Sequence, residues 1–155
     1  MKLYLAQHGD AAGKDVDPER GLTDQGRSDI NAVAAHLKTC GITVSQVLDS
    51  GKLRAQQTAR ILADSLAPGV TIATHESINP LDLPTVIAEE IEQWDQDSLI
   101  VGHLPFLAKL LTLLVTDREE PTVASFTPGT VACLEKTEEA EWHIAWLLPP
   151  SLASA

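Results

Sequence analysis

The sequence has few aromatic residues, few cysteines and few positive charges, and each shortage narrows what the protein can be. Aromatic residues are only 4% of the chain while 44% of it is hydrophobic, so we expect a core of Leu, Ile, Val and Ala. The two cysteines, Cys40 and Cys133, form no C-x-x-C pair, and we expect free thiols in a reducing compartment. No apolar run resembles a signal peptide or a transmembrane helix. These features predict a soluble cytoplasmic protein.

Positive charge is also scarce, because 11 Lys and Arg residues stand against 22 Asp and Glu residues, for a net charge of −11. Such a surface repels nucleic acid and anionic membranes, so we expect neither as a partner. A phosphate site on this chain would need a few local cations and backbone N–H donors. The length of 155 residues suits one domain, which we place at 1–148, with a frayed tail over 149–155.

Strand-like and helix-like segments alternate along the chain. Short apolar runs predict strands over 2–6, 44–49, 70–74, 98–101, 130–134 and 142–147. Helical spacing predicts helices over 24–40, 53–66, 83–94 and 106–115, and Leu83 and Trp94 are expected to face inward. This alternation indicates an α/β fold: a three-layer α/β/α sandwich with a mostly parallel central sheet and an antiparallel C-terminal hairpin.

Two histidines and an arginine follow three of the predicted strands. Gln7, His8 and Gly9 come after the first strand, the segment 50–54 after the second, and Gly102-His103 after the fourth. Ligands of parallel sheets bind beyond the carboxyl ends of the strands, so we expect these residues on one rim.

Phosphoryl transfer is one chemistry that this rim could perform. A neutral imidazole is nucleophilic near pH 7, an arginine pairs with phosphate through two N–H groups, and glycines let the backbone approach a ligand closely. From the residues alone, catalytic and structural roles for His8 and His103 are equally open. A metal site is less favoured, because the usual ligand spacings are missing. The other histidines, His36, His75 and His143, are predicted to be structural.

Four motifs in order resemble those of one family. They are Gln7-His8-Gly9, Leu22-Thr23-Asp24-Gln25-Gly26, the segment 50–59 (SGKLRAQQTA) and Val101-Gly102-His103-Leu104-Pro105. They are similar to the R-H-G, L-T-x-x-G, S-x-x-x-R-A-x-Q-T-A and V-G-H-x-P motifs of the histidine phosphatase superfamily, also called phosphoglycerate mutase-like. The resemblance covers nearly the whole chain and is greatest to the small, SixA-type phosphohistidine phosphatase branch.

The resemblance implies a hydrolase in which His8 carries the phosphoryl group as phosphohistidine and Arg54 and His103 bind its oxygens. It implies no metal and no cofactor. Larger family members insert elements that roof the site, and this chain has little room for them. The resemblance therefore implies an open site that acts on a phosphorylated protein, with phosphohistidine as the favoured substrate and a small phosphorylated molecule as the alternative.

Two features differ from the family or leave a choice open. Gln7 stands where the family has arginine, so we predict an oxyanion site of Gln7, Gly9, Lys52, Arg54 and His103, in which Lys52, or else Arg20 or Arg27, restores the charge. Glu76 is the predicted general acid, with a solvated loop carboxylate as the alternative interpretation. Gln7 also allows a second hypothesis, a catalytically weakened module that binds phosphate or a phosphoprotein.

Overall fold

The computed structural model describes residues 1–153. Its strands are β1 (Lys2–Gln7), β2 (Gln46–Asp49), β3 (Ile72–Thr74), β4 (Ser98–Gly102), β5 (Val131–Lys136) and β6 (Trp142–Leu148). Its helices are α1 (Asp24–Thr39), α2 (Leu53–Leu66), α3 (Pro84–Ile91), α4 (Phe106–Thr116) and the short α5 (Pro150–Ala153).

The strands form one six-stranded sheet in the order β3-β2-β4-β1-β5-β6. The four strands from β3 to β1 are parallel, whereas β5 runs antiparallel to β1 and pairs with β6 as a hairpin. Residues of α1 and α2 share one buried cluster with one face of the sheet, and residues of α3 and α4 share another with the opposite face. The predicted α/β fold, with a mostly parallel sheet and an antiparallel hairpin, is confirmed.

Helix α1 begins where the sequence predicts, and its start explains one of the four motifs. The Thr23 hydroxyl accepts a hydrogen bond from Gly26 N–H at 3.0 Å, which is the usual N-cap arrangement. A Cβ atom at Gly26 would collide with the backbone carbonyl of Asp10. The glycine of this motif therefore lets α1 lie directly against the chain that leaves β1.

Helix α3 is shorter than predicted, and the inward placement of Leu83 is wrong. Leu83 has extended backbone angles (φ −76°, ψ 123°) and its side chain is 67% exposed. The cause is Pro84, because a proline disfavours helical backbone in the residue before it. Leu83 therefore caps the helix from outside, and Ile87 and Ile91 supply the buried face.

The C-terminal segment also differs from the predicted frayed tail. Residues 150–153 form the single turn α5, in which Pro150 is buried and Ala153 packs against the cluster that contains α1. Apolar contact thus orders this turn, and residues 154 and 155 lie outside the described part of the chain. Within residues 1–153, no helix is long and apolar enough to cross a membrane.

The contact at Gly26 gives a first prediction. Gly26→Ala should lower the free energy of unfolding by about 1–3 kcal/mol, because the new methyl group must push the Asp10 backbone away from α1. Urea unfolding measures this difference. Ser28→Ala, at an exposed position of the same helix, is the control and should leave stability within about 0.5 kcal/mol. Equal unfolding midpoints for the two variants would contradict the proposed contact.

Candidate active site

The carboxyl ends of β1, β2 and β4 bring His8, Arg54 and His103 together, as the sequence predicts. The His8 and His103 rings lie with their centroids 5.0 Å apart. The Arg54 Nε–H donates to His8 Nε2 over 3.3 Å from the first turn of α2. Since β1 and β4 are adjacent and β2 lies beside β4, the sheet itself sets these distances.

His8 is held in one tautomer and kept neutral by its surroundings. Its Nδ1 lies 2.7 Å from the Gly9 carbonyl, which can only accept, so Nδ1 carries the proton. In the neutral ring Nε2 then keeps its lone pair, in agreement with the hydrogen bond that Arg54 donates there. Burial lowers the pKa of His8, and the charges of Arg54 and Arg20 lower it further, against the opposing effects of Gly9 and Asp10. The arrangement presents an unprotonated imidazole nitrogen beside a guanidinium.

His103 is only 2% exposed and lies against Ser50. Its Nε2 is 2.6 Å from the Ser50 hydroxyl, while its Nδ1 has no hydrogen-bond partner among the described residues. Burial first, and then the charges of His8, Arg54, Lys52 and Arg20, lower the pKa of His103 to about 3. His103 is therefore a neutral ring near pH 7, with one ring nitrogen beside Ser50 and the other buried without a partner in the described part of the chain.

The turn between β2 and α2 holds Arg54 in position. Gly51 adopts the left-handed region with a φ of 85°, and its N–H donates to the Asp49 carboxylate at 2.9 Å. The same carboxylate accepts from the Thr74 hydroxyl, which ties the turn to β3. Lys52, the N-cap residue of α2, makes no side-chain cap, so the positive end of the helix stays open beside Arg54.

Of the three cations predicted to replace the family arginine, Arg20 and Lys52 lower the pKa of groups on the rim. The Arg20 charge lowers the pKa values of His8, Arg54 and His103, and the Lys52 charge lowers the pKa of His103. Arg27, in contrast, is exposed on α1.

Arg20 is also held by its loop. Its backbone is left-handed (φ 54°), and its Nε–H donates to the Ala12 carbonyl at 3.1 Å. The Asp17 carboxylate accepts from the N–H groups of Glu19 and Gly21, which closes the turn around it. A left-handed non-glycine residue costs on the order of 1 kcal/mol, so the fold holds this arginine against a local preference.

Gln7 and Gly9 flank His8 at the end of β1, and both are buried. The Gln7 side chain is only 8% exposed, and its Oε1 has no hydrogen-bond partner within the described chain. The Gly9 N–H donates to the Thr58 hydroxyl at 3.0 Å, and a Cβ here would lie 2.9 Å from Ile30 Cγ1. Contact with α1, rather than close approach to a ligand, thus explains the glycine.

Glu76, the predicted general acid, is exposed on the loop after β3. Its backbone carbonyl accepts a hydrogen bond from the side-chain amide of Asn79. The carboxylate whose charge acts on His8 is Asp10, which also accepts from the Thr23 hydroxyl at 2.7 Å. Residue-by-residue reasoning missed Asp10, Ser50 and Thr58. Ser50 and Thr58 nevertheless occur in the SGKLRAQQTA motif, and their place in this motif was the available signal.

The remaining histidines have local partners. His75 lies 3.1 Å from the Glu90 carboxylate, and His36 lies 3.8 Å from the Cys40 sulfur. Both cysteines are free thiols, Cys40 exposed and Cys133 buried. No group of three or more His, Cys, Asp and Glu side chains within residues 1–153 is placed to hold a metal ion.

A family comparison agrees with this geometry. The model of the histidine phosphatase superfamily (branch 1) matches residues 3–86, which is more than half of the chain. The chain belongs to the histidine phosphatase superfamily. The matched part contains His8 and Arg54, whereas His103 lies beyond it.

Individual relatives point to the same branch. The chain is 24% identical to phosphohistidine phosphatase SixA of Escherichia coli (strain K12), over 97% of this chain and 94% of the relative. It is 32% identical to an uncharacterized protein of Picosynechococcus sp. over 70% of each chain. Among solved structures, protein histidine phosphatase SixA complexed with tungstate has a TM-score of 0.85 at 25% identity, covering 97% of this chain and 98% of that one. The chain is thus similar to SixA over nearly its whole length, and its membership of the histidine phosphatase superfamily supports a phosphatase enzyme.

The burial of His103 gives a prediction about pH. The unfolded chain binds a proton at His103 near pH 6.5 and the folded chain only near pH 3, so stability is lost as pH falls through this window. Between pH 7.5 and 5.5 the loss from this group should be about 1.4 kcal/mol. His103→Gln should lack this part of the loss. Urea unfolding of both proteins at the two pH values measures it, and parallel pH profiles would contradict it.

Proposed function

We propose that this histidine phosphatase hydrolyses phosphoryl groups through a phosphohistidine formed on His8 Nε2. The observation that carries the proposal is the hydrogen bond between His8 Nδ1 and the Gly9 carbonyl, which leaves Nε2 unprotonated as the acceptor of the Arg54 Nε–H. The lowered pKa of His8 keeps this lone pair unprotonated at neutral pH. In the first step Nε2 bonds to phosphorus as the leaving group departs with its electron pair. Water then attacks phosphorus, and the His8 imidazole leaves as phosphate is released.

The charge that develops on the phosphoryl oxygens is met by local cations. Arg54 lies beside the nucleophile, and the open N-terminus of α2 adds backbone N–H groups. We propose that Arg20 replaces the family's first arginine. Its charge lowers the pKa values of His8, Arg54 and His103. Lys52 adds a further positive charge, which lowers the pKa of His103. The buried and uncharged Gln7 then contributes little to stabilising the charge on the phosphoryl oxygens.

We further propose that the physiological substrate is a protein phosphorylated on histidine and that catalysis needs no metal. The SixA relative, named a phosphohistidine phosphatase, supports the substrate, as does the exposed position of Glu76. An imidazole is a much better leaving group than an alkoxide, so a phosphohistidine substrate does not need a buried carboxylic acid. Small phosphorylated molecules are the alternative substrates of the same site.

Gln7 favours a second candidate function, a module that binds phosphate or a phosphoprotein with little turnover. An amide lacks the charge and the fork geometry of arginine. Hydrolysis of an aryl phosphate by wild type and by His8→Ala separates the two candidates. Equal rates would favour the binding module, whereas a rate that depends on His8 supports the enzyme.

The role of His8 predicts a covalent adduct. Brief incubation with a 32P-labelled phosphoryl donor should label His8, and the label should be lost in acid and kept in base, as expected for a phosphoramidate. Mass spectrometry of the digested protein locates it. Labelling should be equal in buffer with a chelator if no metal takes part. A label on Ser50, or labelling that chelation abolishes and zinc restores, would overturn the mechanism.

The role of Arg20 predicts a contrast between two arginines. Arg20→Ala should lower turnover of an aryl phosphate by about 10²–10³, the usual loss for one oxyanion donor. Arg27→Ala, which removes an equal charge from the exposed side of α1, is the control and should change turnover less than about twofold. Adding Gln7→Arg to the Arg20→Ala protein should recover about tenfold, since a charged donor returns to the site. Equal losses from the two arginines would show that only net charge matters.

A further inference from the structure

Three large apolar side chains are exposed on one short segment that follows β3. Leu81 is 87% exposed, Leu83 is 67% exposed and Val86, in the first turn of α3, is 50% exposed. Leu83 and Val86 are three residues apart at the start of the helix, and the Val86 N–H donates to the Leu83 carbonyl. Isolated surface leucines are ordinary, but three within six residues form a local apolar surface, which we call the Leu81 surface.

The Leu81 surface is presented by an ordered turn. The Asp82 carboxylate accepts from the backbone and side-chain N–H groups of Asn79 at 2.8 and 3.0 Å, and Asp82 N–H donates back to the Asn79 carbonyl. Ile78 before the turn and Ile87 after it are fully buried. The exposed side chains are therefore held in place before any partner arrives, which lowers the entropic cost of binding.

This turn lies next to the phosphoryl site. The carbonyl oxygen of Ile78 is 3.6 Å from the position that a Cβ of Gly102 would occupy. Gly102 precedes His103 and accepts a hydrogen bond from the His8 backbone. The segment that carries the Leu81 surface therefore passes, at Ile78, against the end of β4, where His103 follows.

The charges of the segment indicate what kind of polypeptide fits. Residues 75–91 contain four carboxylates (Glu76, Asp82, Glu89 and Glu90) and no Lys or Arg. Asp82 is occupied within the turn, whereas the three glutamates are exposed and one of them, Glu90, also contacts His75 at 3.1 Å. An apolar surface bordered by carboxylates complements an apolar surface bordered by Lys and Arg.

We propose that Leu81, Leu83 and Val86 form the docking surface for the substrate polypeptide, and that this polypeptide places an apolar face flanked by Lys or Arg beside its phosphohistidine. The inference rests on the proposed function, because it assumes that His8 receives a phosphoryl group from a protein. It adds the surface that selects the protein. Affinity for the substrate then depends on the Leu81 surface, whereas the chemical step depends on the rim around His8.

The test uses two synthetic helical peptides of equal length, each with one phosphohistidine. The first carries leucines on the face of the phosphohistidine and lysines at its borders, and in the second each leucine is replaced by serine. The enzyme variant is Leu81→Ser with Leu83→Ser, at two exposed positions. Leu152→Ser, on the exposed side of α5, is the matched control.

Wild type and Leu152→Ser should hydrolyse the leucine peptide with a KM about tenfold lower than that of the serine peptide, as expected for loss of a small apolar contact. The double variant should show no such preference, and all three proteins should hydrolyse an aryl phosphate equally. A retained preference in the double variant would overturn the docking surface. A loss of aryl phosphate hydrolysis in the double variant would also overturn it, because the leucines would then support the catalytic rim.

Binding of non-hydrolysable phosphonate versions of the same peptides, measured by calorimetry, separates this inference from the proposed function. A wild type that hydrolyses nothing but binds the leucine peptide about tenfold more tightly would refute the proposed catalysis and keep the docking surface. Equal binding of both peptides by wild type would refute the docking surface whether or not hydrolysis occurs.

Discussion

The hydrogen bond from the His8 backbone N–H to the Gly102 carbonyl, 3.0 Å long, extends the pairing of β1 and β4 past the end of the strands. The last paired residues of that ladder are Gln7 and Gly102, so the two histidines that follow leave the sheet side by side. Their rings meet at 5.0 Å because neighbouring strands are only about 4.8 Å apart. The positions of Arg54, Ser50 and the α2 N-terminus are then defined relative to this pair through β2, the other neighbour of β4. A change in the β1–β4 register would separate the site even if every other element remained.

The charged groups around the two histidines are mainly positive, whereas the molecule as a whole is negative. The chain carries a net charge of −11, and yet Arg54 and Arg20 lower the pKa values of both His8 and His103, and Lys52 lowers the pKa of His103. Their combined effect and the burial of the rings keep both imidazoles neutral. Under the proposed mechanism one structural feature has two consequences, since the same positive groups would favour a bound oxyanion and keep His8 unprotonated. The rest of the acidic surface discourages phosphate from binding elsewhere.

The periodic parts of the structure could be predicted from the sequence. The limits of α2 are those that the helical pattern predicts, and the cap at Thr23 and the order of strands and helices are also as expected, because these depend on local spacing and on the placement of glycine and proline. The rim that joins His8, Arg54 and His103 followed from strand order. What could not be predicted depends on loop geometry: the choice of Arg20 over Arg27 depends on a left-handed residue and on hydrogen bonds to Asp17, neither of which has a periodic signal. At Leu83 the periodic pattern itself was misleading, because the predicted helix included the residue before Pro84, which disfavours helical backbone there.

The central position of β1 in the sheet has a consequence for how the molecule moves. β1 is paired on both sides, with β4 and β5, so the backbone around His8 can open only when a large part of the sheet opens with it. The loop that carries Arg20 is held by turn hydrogen bonds and by the short bridge between Ala11 and Leu22. The proposed site therefore joins His8, whose backbone is held by the centre of the sheet, to Arg20, whose loop is held by local hydrogen bonds and one short bridge. Amide hydrogen exchange should therefore be among the slowest in the protein at His8 and faster in the loop of Arg20.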